Sequence, residues 1–198
     1  MSDPKQIEPD ELLKTQEFPA ERQPTPQEDD QFRGAQDQIK QMIDANQPLS
    51  EILSSLVLVI EAQSPEMVCS VLQISDDGNH VKHAVAPSLP ESYVKAIDGS
   101  PIGPKHGSCG TAMFRGKPVV VTDIFKDPLW EDYREYAAAI GMHACWSTPI
   151  MSSKGKVLGS FAMYYREPRT PTGEESRLTN VATKLAGEAI EHHASRAK

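Results

Sequence analysis

The sequence lacks the marks of membrane, secreted and nucleic-acid-binding proteins. No apolar run approaches the ~18 residues of a membrane span, and no basic segment followed by an apolar stretch indicates a signal peptide. Three cysteines at spacings of 40 and 36 make no disulfide framework. The 20 basic residues are scattered among 28 acidic ones, giving a net charge of −8, whereas phosphate binding needs clustered Lys and Arg. We therefore expect a cytoplasmic protein with no nucleic-acid partner and no membrane partner.

Apolar residues are also scarce, at 38% with a mean hydropathy of −0.46. Residues 1–36 lower the average, because they hold five prolines and nine acidic side chains against four basic ones. Such a segment buries too little apolar surface to offset its chain entropy. The composition predicts a disordered acidic tail over 1–35, a leading helix over 36–48 and a folded domain over 49–195.

The folded part shows a regular alternation of helical and β patterns. Apolar residues at Leu49, Ile52, Leu53, Leu56 and Ile60 follow helical spacing. Five β-rich runs follow, over 67–75, 80–86, 118–122, 143–151 and 157–165, and the last segment after Pro171 is helical again. Since the runs are mostly joined as hairpins, the sheet is expected to be antiparallel.

Several strings in the middle of the chain resemble a known family. They are APSLP at 86–90, IDGSPIGP at 97–104, GSCGTAMFRGKPVVVTDI at 107–124, DPLW at 127–130, ACWSTPI at 144–150 and VLGSFAMYYREPRTPT at 157–172. Together, and in this order, they resemble bacterial GAF domains of the kind fused to histidine kinases and diguanylate cyclases, over about residues 49–195.

The resemblance implies an α+β fold in three layers. A six-stranded antiparallel sheet would carry the first and last helices on one face, and loops and short helices would form a pocket on the other. The pocket walls would come from residues 98–111 and 127–145. The candidate ligand-pocket residues within them are Ile102, Ser108, Cys109, Thr111, Asp127, Trp130, Tyr133, His143 and Cys145.

Two of these segments have a chemical interpretation beside a purely structural one. The turn Gly107–Thr111 at a helix start offers free backbone N–H groups to an anion and would lower the pKa of the Cys109 thiol; equally, it is a tight turn with a packed cysteine. Asp127 and Pro128 are a helix-start pair, and Trp130 is an aromatic candidate for the pocket wall.

No cofactor is assigned by the sequence. Alternation along the strand puts His143 and Cys145 on one face and Trp146 on the other, and a metal site would also need His106 and Cys109 to lie beside them. We predict no metal. No residue stands out as a haem-ligating His or a bilin-attaching Cys, and the cyclic-nucleotide signature of the family is not evident.

An enzyme is the alternative from a different class. GSCGTA is similar to a string in free methionine-(R)-sulfoxide reductase, a GAF-fold enzyme whose nucleophile is a second cysteine. The corresponding region here, DPLWEDYREY, contains no cysteine, so Cys109 would have no partner for a sulfenic-acid and disulfide cycle.

The sequence therefore predicts a non-enzymatic sensor of a small molecule or of redox state. The signal would pass through the terminal helices to a partner, such as a signalling kinase or cyclase, with no output domain recognised in this chain. The wide apolar surface of the first domain helix, including Leu58 and Val59, predicts a homodimer through the first and last helices. A ligand-free dimerisation module is the third interpretation.

Overall fold

The five β-rich runs form five strands in the computed structural model, which describes residues 24–196. The helices are α1 Pro26–Asp44, α2 Leu49–Glu61, α3 Glu91–Ile97, α4 Gly107–Arg115, α5 Arg134–Ala139 and α6 Gly173–Arg196, with one 3-10 helix at Pro128–Trp130. The strands are β1 Val68–Ile74, β2 Val81–Val85, β3 Val119–Val121, β4 Ala144–Met151 and β5 Val157–Tyr165.

The strands build one antiparallel sheet in the order β2-β1-β5-β4-β3. The α+β class and the antiparallel sheet are confirmed. The expectation of six strands is wrong for residues 24–196, where the sheet has five. Five is also the number of β-rich runs in the sequence, and the sixth strand was implied by the family resemblance alone.

Helices α2 and α6 cover one face of the sheet, and α1 packs on both of them. The apolar stripes of α2 and α6 meet the side chains that β1, β4 and β5 direct to that side, such as Val71, Trp146 and Phe161. Leu53, Val57 and Ile60 of α2 are wholly or almost wholly buried in this core. Among residues 24–196, no helix is long and apolar enough to cross a membrane.

The leading helix begins earlier than the composition predicts. Helix α1 starts at Pro26, inside the segment 1–35 that was expected to be disordered, and ends at Asp44 rather than 48. Thr25 caps it: the Thr25 hydroxyl accepts from Glu28 N at 3.3 Å, and a Glu28 carboxylate oxygen accepts from Thr25 N at 2.7 Å. Phe32 is only 3% exposed and so holds this part of α1 on the core. Residues 1–23 of the expected tail lie outside the described residues.

The other face of the sheet carries the irregular middle of the chain. Helices α3, α4 and α5 and the 3-10 helix pack there around a second apolar cluster. This cluster includes the candidate positions Cys109, Trp130 and Cys145. The candidate site therefore lies between the sheet and α3–α4, on the side away from the terminal helices.

Candidate functional site

The start of α4 approaches the sheet closely because it is built from small residues. Gly107 has a φ of +58°, a backbone conformation that favours glycine. A Cβ on Gly110 would lie 2.8 Å from the carbonyl oxygen of Pro101, so that position has no room for a side chain. These two glycines let the start of α4 pack against the loop before it, and Ser108 and Cys109 then contact Cys145 and Ser147 of β4.

Ser108 links three elements of the site. The indole Nε1 of Trp130 donates to the Ser108 hydroxyl at 2.8 Å, and that hydroxyl donates to the backbone carbonyl of Cys145 at 3.1 Å. All three residues are buried, so neither hydrogen bond competes with bulk water. The 3-10 helix is thereby fixed to α4, and α4 to β4.

Under α4, the central strands present a buried cluster of hydroxyls and thiols. The Cys109 sulfur lies 3.1 Å from the Ser147 hydroxyl and 3.9 Å from that of Tyr164. The Cys145 sulfur lies 3.8 Å from the same Ser147 oxygen, and Ser70 is hydrogen-bonded to Tyr164 at 3.2 Å. The two thiols therefore share one serine hydroxyl.

This arrangement gives the two thiols different acidities. Hydrogen bonding from the Cys145 thiol, and then from hydroxyls that include Ser147, lowers the pKa of Cys109 below its ordinary value. Burial, and then hydrogen bonding to Cys109, raises the pKa of Cys145 well above its ordinary value. Cys109 is therefore the thiol of the pair that ionises first.

A cavity of about 40 Å³ lies beside this cluster. Its walls are mainly aromatic and aliphatic side chains. His106 and Tyr133, both half-buried, close one side of it, with the ring Nδ1 of His106 3.3 Å from the Tyr133 hydroxyl. The full set of lining residues is Leu72, Val81, Tyr93, Ile97, Ser100, His106, Gly107, Ser108, Cys109, Gly110, Trp130, Tyr133 and Tyr164.

The structure places four of the nine candidate residues on the cavity wall, namely Ser108, Cys109, Trp130 and Tyr133. Asp127 instead caps the 3-10 helix by accepting from Leu129 N at 2.8 Å. The Thr111 hydroxyl accepts from His106 N at 3.3 Å. These two residues shape the site without lining the cavity.

The other three candidate residues also do not line the cavity. Cys145 is wholly buried beneath Cys109. His143 packs on the ring of Phe125 at 4.9 Å, and Ile102 packs at the edge of the apolar cluster. Alternation along β4 had placed Cys145 and Trp146 on opposite faces, and the structure confirms this.

Most of the other residues that line the cavity belong to strands and helices whose apolar pattern indicates only that these residues are buried. Leu72 and Val81 belong to β1 and β2, Tyr93 and Ile97 to α3, and Tyr164 to β5. The ring of Tyr164 packs edge-on against Tyr93 at 6.0 Å. Periodicity predicts that such side chains are buried, but not whether they border a cavity.

Within residues 24–196, no group of three or more His, Cys, Asp or Glu side chains could hold a metal ion. The four residues considered for such a site separate into a thiol pair, Cys109 with Cys145, and two histidines with other partners. His106 contacts Tyr133, and His143 contacts Phe125. The two-plus-two arrangement is therefore not assembled.

Comparisons with known proteins agree with this architecture. The chain is 39% identical over 158 residues to a methyl sulfide methyltransferase-associated sensor of Methanosarcina acetivorans. That match covers 80% of this chain and 16% of the relative, so the chain spans about a sixth of that protein's length.

Solved structures share the fold at low sequence identity. The GAF domain of a phosphoenolpyruvate-protein phosphotransferase from Coxiella burnetii superposes with a TM-score of 0.65 at 21% identity, covering 84% of this chain and 97% of that one. Free methionine-R-sulfoxide reductase from Neisseria meningitidis, in complex with its substrate, gives 0.62 at 15% identity, covering 83% and 90%.

The family model for the GAF domain matches residues 46–191. This range contains every strand of the sheet, α2 to α5, most of α6 and all residues that line the cavity. The match covers well over half of the chain, and the chain therefore belongs to the GAF domain family.

Proposed function

We propose that this GAF domain is a sensor that binds a small, mostly apolar molecule in the cavity between the sheet and helices α3 and α4. The observation that carries the proposal is the cavity itself, which is enclosed by the rings of Tyr93, Trp130, Tyr133 and Tyr164. Concave, largely apolar pockets with a few fixed polar groups are the usual form of a ligand site.

The volume of about 40 Å³ limits the ligand. One water molecule needs ~10–15 Å³ of such free cavity space, so the cavity suits a molecule of only a few non-hydrogen atoms. Among the polar groups of the wall, those of Ser100, His106 and Tyr133 are the less buried, whereas the buried hydroxyls of Ser108 and Tyr164 are already hydrogen-bonded within the protein. An apolar body with at most one weak polar group fits this lining.

A route from the cavity to α6 supports a signalling role. Cys145 and Trp146 are neighbours on β4 and face opposite sides of the sheet. The Trp146 ring packs on Tyr165 at 4.5 Å, and the Tyr165 hydroxyl donates to Glu175 of α6 at 2.6 Å. A shift of β4 on ligand binding would therefore move the start of α6, which a kinase or cyclase partner could read.

A catalytic role as a methionine sulfoxide reductase is disfavoured by two features. The cavity is too small for an amino acid with a long side chain. The segment from Asp127 to Tyr136, where that enzyme's nucleophile would be expected, contains no cysteine and forms the 3-10 helix and the start of α5. We propose no turnover of free methionine sulfoxide with a thioredoxin system as reductant.

Helix α1 reduces the apolar surface of α2 and α6 that is available for the proposed homodimer. It packs on both helices, and Val59 is half-buried beside the helix core, while Leu58 stays 50% exposed. The apolar surface left for a second copy is therefore narrower than the sequence alone suggests. Light scattering at tens of micromolar tests the dimer, and a Leu58→Glu variant should be a folded monomer if Leu58 lies in that interface.

Dimethyl sulfide is the first probe, because it has only three non-hydrogen atoms and because the Methanosarcina acetivorans relative is named a methyl sulfide methyltransferase-associated sensor. The chain has two tryptophans, Trp130 on the cavity wall and Trp146 on the opposite face of the sheet. Titration should shift the indole N–H resonance of Trp130 in NMR spectra far more than that of Trp146. Unchanged or equally shifted resonances at saturating millimolar probe would refute binding of this molecule in the cavity.

A pair of matched variants locates the binding site. Ile97→Phe adds a ring beside the cavity and should abolish the shift of Trp130. Val120→Phe makes a similar change at a position on the edge strand β3 that is 46% exposed, and it should leave the shift intact. Equal responses of both variants would place the probe elsewhere.

A further inference from the structure

The cavity-facing side of the sheet is unusually polar for a buried surface. Ser70, Ser147 and Ser160 lie on the three central strands β1, β4 and β5, and each is at most 1% exposed. The Ser160 hydroxyl has no hydrogen-bond partner among the described residues. Burying a hydroxyl without a partner costs about 1–3 kcal/mol, so the presence of Ser160 is not explained by stability.

Two thiols lie at the centre of this cluster. One Ser147 oxygen is 3.1 Å from the sulfur of Cys109 and 3.8 Å from that of Cys145. The backbones are also close there, because the hydroxyl of Ser108, next to Cys109, reaches the carbonyl oxygen of Cys145 at 3.1 Å. A disulfide needs the two sulfurs at ~2 Å, so its formation requires α4 to move towards β4.

Access to the two thiols is unequal. Cys109 is 9% exposed and lines the cavity, whereas Cys145 is wholly buried beneath it. A reagent that enters the cavity therefore meets Cys109 first. Cys69 is also wholly buried, but it lies in the core on the opposite face of the sheet.

We infer that Cys109 and Cys145 form an oxidisable thiol pair that hydrogen peroxide or a small alkyl hydroperoxide converts to a disulfide, giving a redox input to the sensor proposed above. The geometry assigns Cys109 as the attacking thiol and Cys145 as the resolving thiol. The cavity admits a molecule of the size of a peroxide, and the shared Ser147 hydroxyl holds the two thiols together.

The chemistry balances in two steps. The Cys109 sulfur attacks one peroxide oxygen, so an S–O bond forms, the O–O bond breaks, and the thiol proton leaves with the other oxygen as water. The Cys145 sulfur then attacks the sulfenic acid at the Cys109 sulfur. The S–S bond forms, the S–O bond breaks, and the hydroxyl departs as water with the proton of Cys145. Two thiols are oxidised, and one hydrogen peroxide is reduced to two waters; with an alkyl hydroperoxide, the alcohol leaves in the first step in place of water.

The surrounding groups suit both steps. The lowered pKa of Cys109 supplies the thiolate that the first step needs. The Ser160 hydroxyl makes no hydrogen bond of normal geometry among the described residues, but it is one of the hydroxyls that lower the pKa of Cys109. It therefore faces that thiol and can donate to the oxygen of the sulfenic acid.

Intact mass spectrometry of the reduced chain after peroxide treatment tests the inference. The expected result is the loss of two hydrogens, with Cys109 and Cys145 linked in the peptide map and Cys69 still open to alkylation after unfolding. An unchanged mass, a disulfide that includes Cys69, or sulfinic acid on Cys109 beside a free Cys145 would each overturn it.

Three variants sharpen the assignment. Cys69→Ser should form the same disulfide as the wild type. Cys145→Ser should stop at sulfenic acid on Cys109, which dimedone traps, and Cys109→Ser should not react. Disulfide formation in Cys109→Ser would refute the assigned roles. The readout is covalent, so it is independent of the NMR shift that tests ligand binding in the cavity.

Discussion

The two faces of the sheet differ in the side chains that strands β4 and β5 bury there. The face covered by the terminal helices buries Trp146, Phe161 and Met163. The cavity face buries Ser147 and Ser160. Both faces follow the same strand alternation and are equally closed to solvent. The helix face is packed with large apolar side chains, which stabilise the fold. The cavity face contains hydroxyls and thiols that a core does not need, as expected where a site is retained at some cost in stability.

Truncation on the helix face should have the largest effect. Phe161 is wholly buried, and Phe161→Ala removes its ring and leaves a cavity, which costs about 3–5 kcal/mol. Urea unfolding measures the change, with Leu58→Ala as the control. That residue is 50% exposed, so its truncation should stay within about 0.5 kcal/mol. A loss for Phe161→Ala as small as that of the control would contradict the comparison.

Removal of the first 34 residues should have the next largest effect. It deletes the Thr25 cap and Phe32, which is 3% exposed against the helix core. We expect a loss of about 3 kcal/mol and therefore a melting temperature lower by roughly 6–12 °C. A chain that starts at Pro24 is the matched control and should keep the full melting temperature. Equal values for the two shortened chains would show that this part of α1 does not stabilise the core.

Helix α1 has a local helix-start motif that is not visible in the average composition of residues 1–35. Thr25, Pro26 and Glu28 form a capping box with proline at the first helical position, a recognisable start signal. The prediction of disorder over 1–35 averaged these residues with the proline-rich segment before them. The helix also depends on burying Phe32, Ile39 and Ile43 against α2 and α6, and no window of local sequence contains those contacts.

The candidate site was predictable only where the chain is locally distinctive. The small-residue turn at Ser108 and Cys109 and the string ending at Trp130 were recognised from short motifs, and both border the cavity. Leu72, Tyr93 and Tyr164 were not, because a buried side chain on a strand or helix has the same periodicity whether it touches a neighbour or a cavity. The thiol pair also depends on α4 packing over β4, which joins residues 36 positions apart.

The thiols of the two faces should differ clearly in reactivity. Burial, and then repulsion by Glu61, raises the pKa of Cys69 well above its ordinary value, whereas hydrogen bonding lowers that of Cys109. Only the thiolate is alkylated, so the reaction of Cys109 should reach half its maximal rate at a lower pH than that of a free cysteine. At neutral pH, iodoacetamide should label Cys109 roughly ten times faster than Cys69, or more. Peptide mapping over time measures both cysteines in one sample. Equal labelling rates would show that the two faces do not differ in thiol reactivity.

Serine-to-alanine changes on the cavity face should have the smallest effects, and their signs should differ. Ser160→Ala removes a buried hydroxyl without a partner among the described residues and should stabilise the fold by about 1 kcal/mol. Ser70→Ala removes the partner of the Tyr164 hydroxyl at 3.2 Å and should destabilise by about the same amount. Both serines are wholly buried, so each variant is the other's control in urea unfolding. If Ser160→Ala also destabilises, the Ser160 hydroxyl is hydrogen-bonded in solution, and this position on the cavity face carries no cost in stability.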